Sequence, residues 1–544
     1  MAANPHAMAR AAGTVSILAL LSPLAGLLVE MTLAWRFGAG STMDAFRIAS
    51  LLLLFSQQLF VLQILPHAIV PVFSEFSARG EHDQAWQTAF SLANLLLLPA
   101  GLLALLVMAF SQPVVRFLAP GLVGEAHQTA SLLIRGLAPA CALMVWSGVA
   151  TGVLYAHRIF WLPPTVQIAG NIILIAAILS LGRIPSVTGL IVGVLLATVA
   201  GLALYLGQLR NLLKQAKVRL KWAIRLSHPG LRKTLRLISP LLASVVLSQC
   251  TAVILNRTLS ELPPGSLAQF GYAWKLSQMV SLAPVALATV LFPRFAEVKL
   301  AAEGEAFRDL CTRALRMALF LALPLAGLVW AVREPVVAFL LQRGAFSPLA
   351  TETVGRLFGL LLLGAPAAVL TGYLEKISYA TQDMWAPLAG QLMTALLVAL
   401  LASRVTAQFA AEGVMLLCSS LTWIVAVGLS LWLSWKHKAL ELKRLVPFSA
   451  AIVLLALACS WVGGKSASLL KEVSALSFVS PALVAVGGLV FFGAALGLRV
   501  PEALAVRSFL RWQTGETAKR LQAFVLGRNQ TSVANVSLTR KEEE

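Results

Sequence analysis

Long apolar runs, repeated along almost the whole chain, limit the folds that this sequence can adopt more than any other feature. A helix needs roughly 20 residues to cross a hydrocarbon core about 30 Å thick, and about fourteen runs of that length occur here. Of the 544 residues, 58% are hydrophobic and 12% are charged, which leaves too little polar surface for a water-soluble globule. The sequence therefore predicts an all-α polytopic membrane protein with about fourteen transmembrane helices.

One polar motif between apolar runs is present twice. LYAHRIFWLPP at residues 154–164 aligns with ISYATQDMWAP at residues 377–387, and each matched pair, such as Trp161 and Trp385, is 224 residues apart. This offset covers an even number of spans, so both halves run in the same direction through the membrane. Parallel repeats of this kind are known in transporters, although gene duplication can also build a static bundle.

A second echo, QPVVRFL at 112–118 and EPVVAFL at 334–340, supports two parallel six-helix repeats followed by two C-terminal helices. Two of the spans in the second repeat are expected at 384–403 and 410–434. The predicted organisation is an N-lobe (1–206), a basic cytoplasmic linker (207–233), a C-lobe (234–434), two further spans (435–498) and a cytoplasmic tail (499–544).

Positive charge is concentrated in a few segments. The formal net charge is +20, and nine Lys and Arg residues fall between Arg210 and Arg236. Such clusters beside spans are typical of cytoplasmic loops, so they predict membrane topology rather than a nucleic-acid site. We expect a multi-pass membrane protein with both termini in the cytoplasm.

The sequence contains none of the motifs expected of an enzyme or a metal protein. The five cysteines include no CxxC pair, and HExxH, GxSxG and the phosphate-binding loop before GK[ST] are missing. We therefore expect no catalytic residues, no metal site and no bound cofactor.

Five motifs together resemble the MurJ/MviN family of lipid II flippases, within the multidrug/oligosaccharidyl-lipid/polysaccharide exporter superfamily. They are WRFGAGSTMDAF (35–46), VPVFSEF (70–76), GVLYAHRIFWLPPTVQIAGN (152–171), ALATVLFPRF (286–295) and SYATQDMWAP (378–387). The resemblance implies an alternating-access flippase that moves an undecaprenyl-pyrophosphate-linked glycan from the inner to the outer leaflet of the bacterial cytoplasmic (inner) membrane. It also implies a role in peptidoglycan or cell-wall synthesis and contact with membrane lipids.

This chain departs from the family at most of the arginines that line the family's cavity. Pro23 and Val29 stand in place of the first-span pair, and Gln57 and Gln58 in place of the second-span pair. The family's ADR motif is Ala-Trp-Lys here, so Lys275 alone keeps a cation at a matching position. Either lipid II or a related polysaccharide precursor is therefore the expected substrate.

Lys275 is the leading candidate to bind the substrate phosphate. An ammonium group in an apolar span is costly unless it faces a cavity or a partner; an internal salt bridge and a snorkelling side chain are the alternatives. The other proposed substrate contacts are Arg47, Gln57, Gln58 and Arg135. For Arg135 a structural role is favoured over contact with the substrate.

Glu30, Arg36 and Asp44 lie near the outer end of the first helical hairpin. They are candidates for a gate, or for coupling to a proton or sodium ion, and a local surface ion pair is the alternative. The membrane potential is a further predicted driving force.

Two other functions are also compatible with this sequence. One is a cation or drug antiporter of the same superfamily, which would use a carboxylate such as Asp44 or Glu30. The other is a nontransporting scaffold for a glycan synthase complex, which the missing arginines favour. The first predicts protection from toxic cations, and the second predicts capture of a synthase without lipid movement.

Overall fold

The fold was examined in a computed structural model. It describes residues 5–180, 187–216, 229–300, 304–469, 487–493, 495–496 and 501–504, and these contain helices and no strands. The helices in chain order are α1 (Pro5–Phe37), α2 (Ser41–Ser56), a π-helical segment (Gln57–Gln63), α3 (Ile64–Ala78), α4 (His82–Ala109), α5 (Ser111–Leu118), α6 (Gly124–Ala156), α7 (Leu162–Ser180), α8 (Val187–Ala216), α9 (Pro229–Ser260), α10 (Ser266–Leu300), α11 (Gly304–Ala331), α12 (Arg333–Leu341), α13 (Pro348–Ala380), α14 (Trp385–His437) and α15 (Leu442–Leu469).

The two copies of the second repeated motif form equivalent helices. QPVVRFL forms the short helix α5 between α4 and α6, and EPVVAFL forms the short helix α12 between α11 and α13. The bounds of α6 and α13 also differ by 224 residues at both ends. Each short helix thus precedes one long helix of the same length, as expected of two copies of one unit.

The motif that is present twice forms the same turn each time. Arg158 and Gln382, which are 224 residues apart, both adopt left-handed backbone conformations, with φ of 60° and 58°. In each turn the N–H of this residue donates to the carbonyl three residues earlier, at 3.0 and 3.1 Å, and the next N–H donates to the carbonyl five residues earlier, at 2.9 Å. This is the Schellman helix end, and it closes α6 and α13 alike.

Nine helical segments within the described part of the chain are long and apolar enough to cross a membrane. The longest, α14, contains a break at Ala410, where φ is 50° and ψ is −143°. This break confirms the predicted separation of the spans at 384–403 and 410–434. The predicted last span, at 474–497, lies mostly outside the described residues, so the count of about fourteen stays a prediction.

The chain forms two compact units. The first comprises the described residues of Met1–Leu276, Leu340–Leu357 and Gln391–Val414, and the second those of Ser277–Phe339, Phe358–Gly390 and Met415–Glu544. The division into lobes at residues 206 and 234 stays a prediction.

In the first unit, α6 is the central helix and packs against α2, α3, α4 and α8. In the most apolar 18-residue stretch of α6, 67% is buried inside the protein, whereas only 17% of the corresponding stretch is buried in α4 and in α7. Gly148 and Gly152 make this packing possible: a Cβ on Gly148 would lie 3.1 Å from Leu65, and one on Gly152 would lie 2.9 Å from the Cβ of Ile69. Small residues four apart allow such close helix contact in membranes.

In the second unit, α11 packs along α15. Phe320 of α11 and Phe491 are both buried and their ring centroids are 5.4 Å apart. Burial of such rings contributes strongly to core packing. The charged residues of α11 all precede Phe320, toward the amino-terminal end of the helix.

Candidate functional site

Asp44 lies in the first turn of α2 and binds the amino-terminal end of α10. One carboxylate oxygen accepts from Gly265 N at 2.5 Å and the other accepts from Ala268 N at 2.7 Å. Asp44 is 5% exposed. The first N–H groups of a helix lack partners within that helix, and a negative charge is favourable there. Asp44 therefore joins the α1–α2 turn to the α9–α10 turn.

Backbone contacts strengthen this junction. Gly38 and Gly265 have φ of +64° and +97°, a region that residues with a Cβ rarely adopt. Their missing side chains also leave room for the carbonyl oxygens of Ala345 and Ala39, respectively. Ala345 N donates to Trp35 O at 2.9 Å. We call these contacts, together with those of Asp44, the turn junction.

Arg47 of α2 is paired with Glu30 of α1. Its two terminal nitrogens donate to the two carboxylate oxygens at 3.0 and 2.5 Å, and the side chains are only 16% and 13% exposed. The guanidinium carbon lies 4.8 Å from the ring centre of Tyr272, within cation–π range. A Cβ on Gly271 would lie 2.9 Å from Arg47 Cδ, so this glycine leaves room for the arginine.

Tyr272 links the buried ion pair to the turn junction. Its hydroxyl donates to Gly38 O at 2.9 Å, and its side chain is almost fully buried. Its ring packs edge-on against Phe346 at a centroid distance of 5.4 Å. Tyr272, a residue of α10, thus joins α10 to the first hairpin. No motif in the sequence around Tyr272 indicates this role.

Lys275 follows one helical turn after Gly271 and reaches α1 and α7. A Cβ on Gly26 would lie 3.5 Å from Lys275 Nζ and 3.9 Å from Asn171 Nδ2, so both polar groups crowd this glycine. Among the residues that the structure describes, no carboxylate lies within salt-bridge distance of Lys275. Of the predicted contacts, Lys275 is therefore the cation best placed to accept an anionic ligand.

Gln57 and Gln58 begin the π-helical segment that interrupts the helix between α2 and α3. Such π-bulges occur frequently at functional sites. Both side chains are partly buried. Their roles as substrate contacts stay predictions.

The two other predicted arginines, Arg135 and Arg36, form no hydrogen bond or ion pair with Glu30, Arg47 or Lys275 in the described residues. Arg135 of α6 donates from Nε to Ser111 Oγ at 2.6 Å, which braces the start of α5. Arg36 carries one buried terminal nitrogen with no hydrogen-bond partner in the described part of the chain. A substrate contact for Arg135 and a gating role for Arg36 both stay predictions.

Asp383, in the TQDMWAP motif, forms a separate cluster in the second unit. It accepts hydrogen bonds from Trp432 Nε1 and Lys436 Nζ at 2.9 Å and contacts His437 Nε2 at 3.0 Å. Burial alone would raise the pKa of Asp383, but these hydrogen bonds from the three side chains outweigh it and hold its pKa well below the ordinary value. The cluster ties the α13–α14 turn to the end of α14.

Within the described residues, the apolar helices and the repeated turns define a polytopic α-helical membrane protein that contains two copies of one unit, an architecture known in transporters. The family model described as "Lipid II flippase MurJ" matches residues 33–483. The chain belongs to this family, which confirms the resemblance seen in the five motifs.

Individual relatives agree with this assignment. The lipid II flippase MurJ of Burkholderia cenocepacia is 27% identical over 384 residues, which are 70% of this chain and 74% of the relative. The probable lipid II flippase MurJ of Rhizobium meliloti is 26% identical over 504 residues, 89% of this chain and 93% of the relative. The similarity extends over most of each protein.

Solved structures show the same fold. A "Lipid II flippase MurJ, inward closed conformation" aligns with a TM-score of 0.74 at 19% identity, covering 89% of this chain and 98% of that one. An inward-facing multidrug resistance MATE transporter of the MOP superfamily aligns with a TM-score of 0.62 at 15% identity, covering 78% and 98%. The predicted all-α polytopic fold is confirmed.

Proposed function

We propose that this protein is an alternating-access flippase that moves a polyprenyl-pyrophosphate-linked glycan from the inner to the outer leaflet of the bacterial cytoplasmic membrane. Membership of the family described as lipid II flippase MurJ supports transport of a lipid-linked glycan. Lipid II is the first substrate to test. The observation that carries a specific mechanism is Lys275, a cation in an apolar helix without a carboxylate partner in the described residues.

The chemistry of such a substrate explains the need for Lys275. Each hydroxyl or phosphate of the head group costs several kcal/mol to move into hydrocarbon when it has no hydrogen-bond partner. The Lys275 ammonium is a compact charge that binds phosphate oxygens, and Asn171 beside it offers an amide donor and acceptor. Together they would stabilise the phosphate end of the head group within the membrane.

Three of the other charged side chains that the sequence predicts for the site already have partners in the protein, which leaves Lys275 as the proposed phosphate contact. Arg47 is neutralised by Glu30, so it adds little net attraction for an anion. Asp44 binds the backbone of α10. The carboxylates on which a cation antiporter would depend are therefore both occupied by donors of the protein itself.

The membrane potential would supply the driving force. Each elementary charge that crosses the membrane gains about 2.3 kcal/mol per 100 mV. Outward movement of an anionic head group is favoured when the cell interior is negative. Proton and sodium gradients are the alternative sources of energy.

The turn junction would hold one state of the transport cycle. Asp44, Tyr272 and the backbone contact at Ala345 fix the α1–α2, α9–α10 and α12–α13 turns to one another. Opening a path for the substrate at this end of the helices requires that the contacts of the turn junction break. We assign Asp44 to the latch that keeps the turns together.

The test is leaflet exchange in proteoliposomes that contain the purified full-length chain. Lipid II and other polyprenyl-pyrophosphate glycans are offered separately, with and without an imposed potential, and with proton or sodium gradients as further arms. Lys275→Gln is expected to lower exchange at least about tenfold, because it removes a charge-assisted contact of about 1.4 kcal/mol or more. Lys233→Gln is the matched control, since Lys233 is half exposed and pairs with Glu75.

Full activity of Lys275→Gln would overturn the assignment of Lys275. Exchange of another glycan but not lipid II would keep the mechanism and change the substrate. A folded wild-type protein that moves none of these lipids, yet captures a glycan synthase, would establish the scaffold function instead.

A further inference from the structure

A second group of arginines surrounds a cavity at the polar end of α11, within the second unit. The cavity has a volume of about 260 Å³. It is lined by Asp309, Thr312, Arg313, Arg316, Arg444 and Glu502, with Met317 and Pro501. We call it the arginine pocket.

The sequence places these side chains at a membrane interface. Gly304–Ala331 is apolar enough to cross a membrane, and its charged residues are confined to the first half, ending at Arg316. Arg313 and Arg316 are three residues apart and so lie on one face of α11. Arg444 is near the start of α15, a helix that packs along α11.

One arginine forms the floor of the pocket. Arg316 pairs with Glu502 at 2.8 Å, and its guanidinium carbon lies 4.3 Å from the ring centre of Phe448. Its side chain is 23% exposed. The pair and the aromatic ring hold the guanidinium in place.

The two other arginines lie at the mouth. Arg313 and Arg444 are 44% and 66% exposed. Arg313 pairs with Asp309 at 2.5 Å, and Arg444 pairs through Nε with Glu441, outside the lining, at 2.8 Å. The lining itself has three arginines and two carboxylates, which leaves one net positive charge.

The geometry points to a binding site for the phosphate of an anionic phospholipid head group. Guanidinium groups bind phosphate oxygens through paired hydrogen bonds, and basic pockets between membrane helices bind anionic lipid heads. The apolar side chains of Met317 and Pro501 also line the pocket and offer a surface for the start of an acyl chain. A lipid phosphate bound to arginines of both helices would hold α11 and α15 together at the membrane interface. This inference is independent of the proposed flippase function.

The test measures phosphatidylglycerol binding to the full-length protein in a zwitterionic detergent by native mass spectrometry, with phosphatidylcholine as the neutral probe and inorganic phosphate as competitor. The double variant Arg313→Gln, Arg444→Gln is expected to bind phosphatidylglycerol about tenfold more weakly. Arg79→Gln is the matched control, because Arg79 also forms an exposed pair four residues from its carboxylate, at 2.7 Å; its binding should stay unchanged.

Equal binding by the double variant and the wild type would overturn the proposal. Displacement of the lipid by inorganic phosphate at the lipid's own concentration would also overturn it, since the site would then bind free anions. If the double variant unfolds at a lower temperature, Arg444→Gln alone decides the question, because this side chain is the most exposed of the three. A several-fold loss in that single variant supports the site, and no loss overturns it.

Discussion

Glu30 binds Arg47 through both of its carboxylate oxygens, at 3.0 and 2.5 Å, beneath the ring of Tyr272. The sequence predicts different roles for these two residues, substrate binding for Arg47 and gating or ion coupling for Glu30. The structure shows instead that the two side chains bind each other. We therefore expect loss of either partner to lower the stability of the fold.

Glu30→Gln should lower the free energy of unfolding by about 3 kcal/mol, because it leaves a largely buried guanidinium without its counter-ion. The double variant Glu30→Gln, Arg47→Gln should regain much of that loss. Thermal unfolding of the purified variants checks this, with exposed Glu125→Gln as control. A double variant as unstable as the sum of the two single ones would show that the pair is not coupled.

Asp44→Ala should increase amide hydrogen exchange at Gly265 and Ala268, because their N–H groups lose their acceptor. Mass spectrometry of the peptide that contains the α9–α10 turn measures the change. Asp83→Ala, in the first turn of α4, is the control and should leave this peptide unchanged. Unaltered exchange in Asp44→Ala would remove Asp44 from the turn junction.

Gln382→Gly should raise the free energy of unfolding by about 1 kcal/mol, since glycine adopts the left-handed conformation at this turn without a Cβ penalty. Gln128→Gly makes the same change at an exposed helical position and should lower it by about 1 kcal/mol. Opposite signs in thermal unfolding would support the repeated Schellman turn. The same sign in both would contradict it.

Asp383→Asn should lower the free energy of unfolding by about 2 kcal/mol near neutral pH, because the buried carboxylate accepts several charge-assisted bonds. The lowered pKa of Asp383 means that the folded state favours the ionised form. Its contribution is therefore present above the ordinary pKa of an aspartate and is lost as the pH falls through the folded-state pKa.

Unfolding midpoints of wild type and Asp383→Asn should thus differ by a constant amount above about pH 5 and converge below about pH 4. Exposed Asp83→Asn should show no such convergence. A difference that persists unchanged in acid would exclude the charge of Asp383 as its source.

Much of the architecture could be predicted because apolar run length and internal repetition are properties of the sequence itself. Bilayer thickness converts run length into helices, and the 224-residue offset between Trp161 and Trp385 identifies equivalent turns. The break in α14 was also predicted. Lys275 was selected for the same kind of reason, because a charge within an apolar run is visible without any partner.

Partners could not be predicted, because they depend on which helices meet. Nothing in the sequence near Asp44 indicates that its carboxylate binds N–H groups more than 220 positions away. Nor does the order of residues show that Glu30 neutralises Arg47 while Lys275 stays unpaired in the described chain. The sequence by itself determined the helices, the repeat and the identity of each charge. Only the tertiary structure decided which charges cancel, since Coulomb and hydrogen-bond energies depend on distance in space and not along the chain.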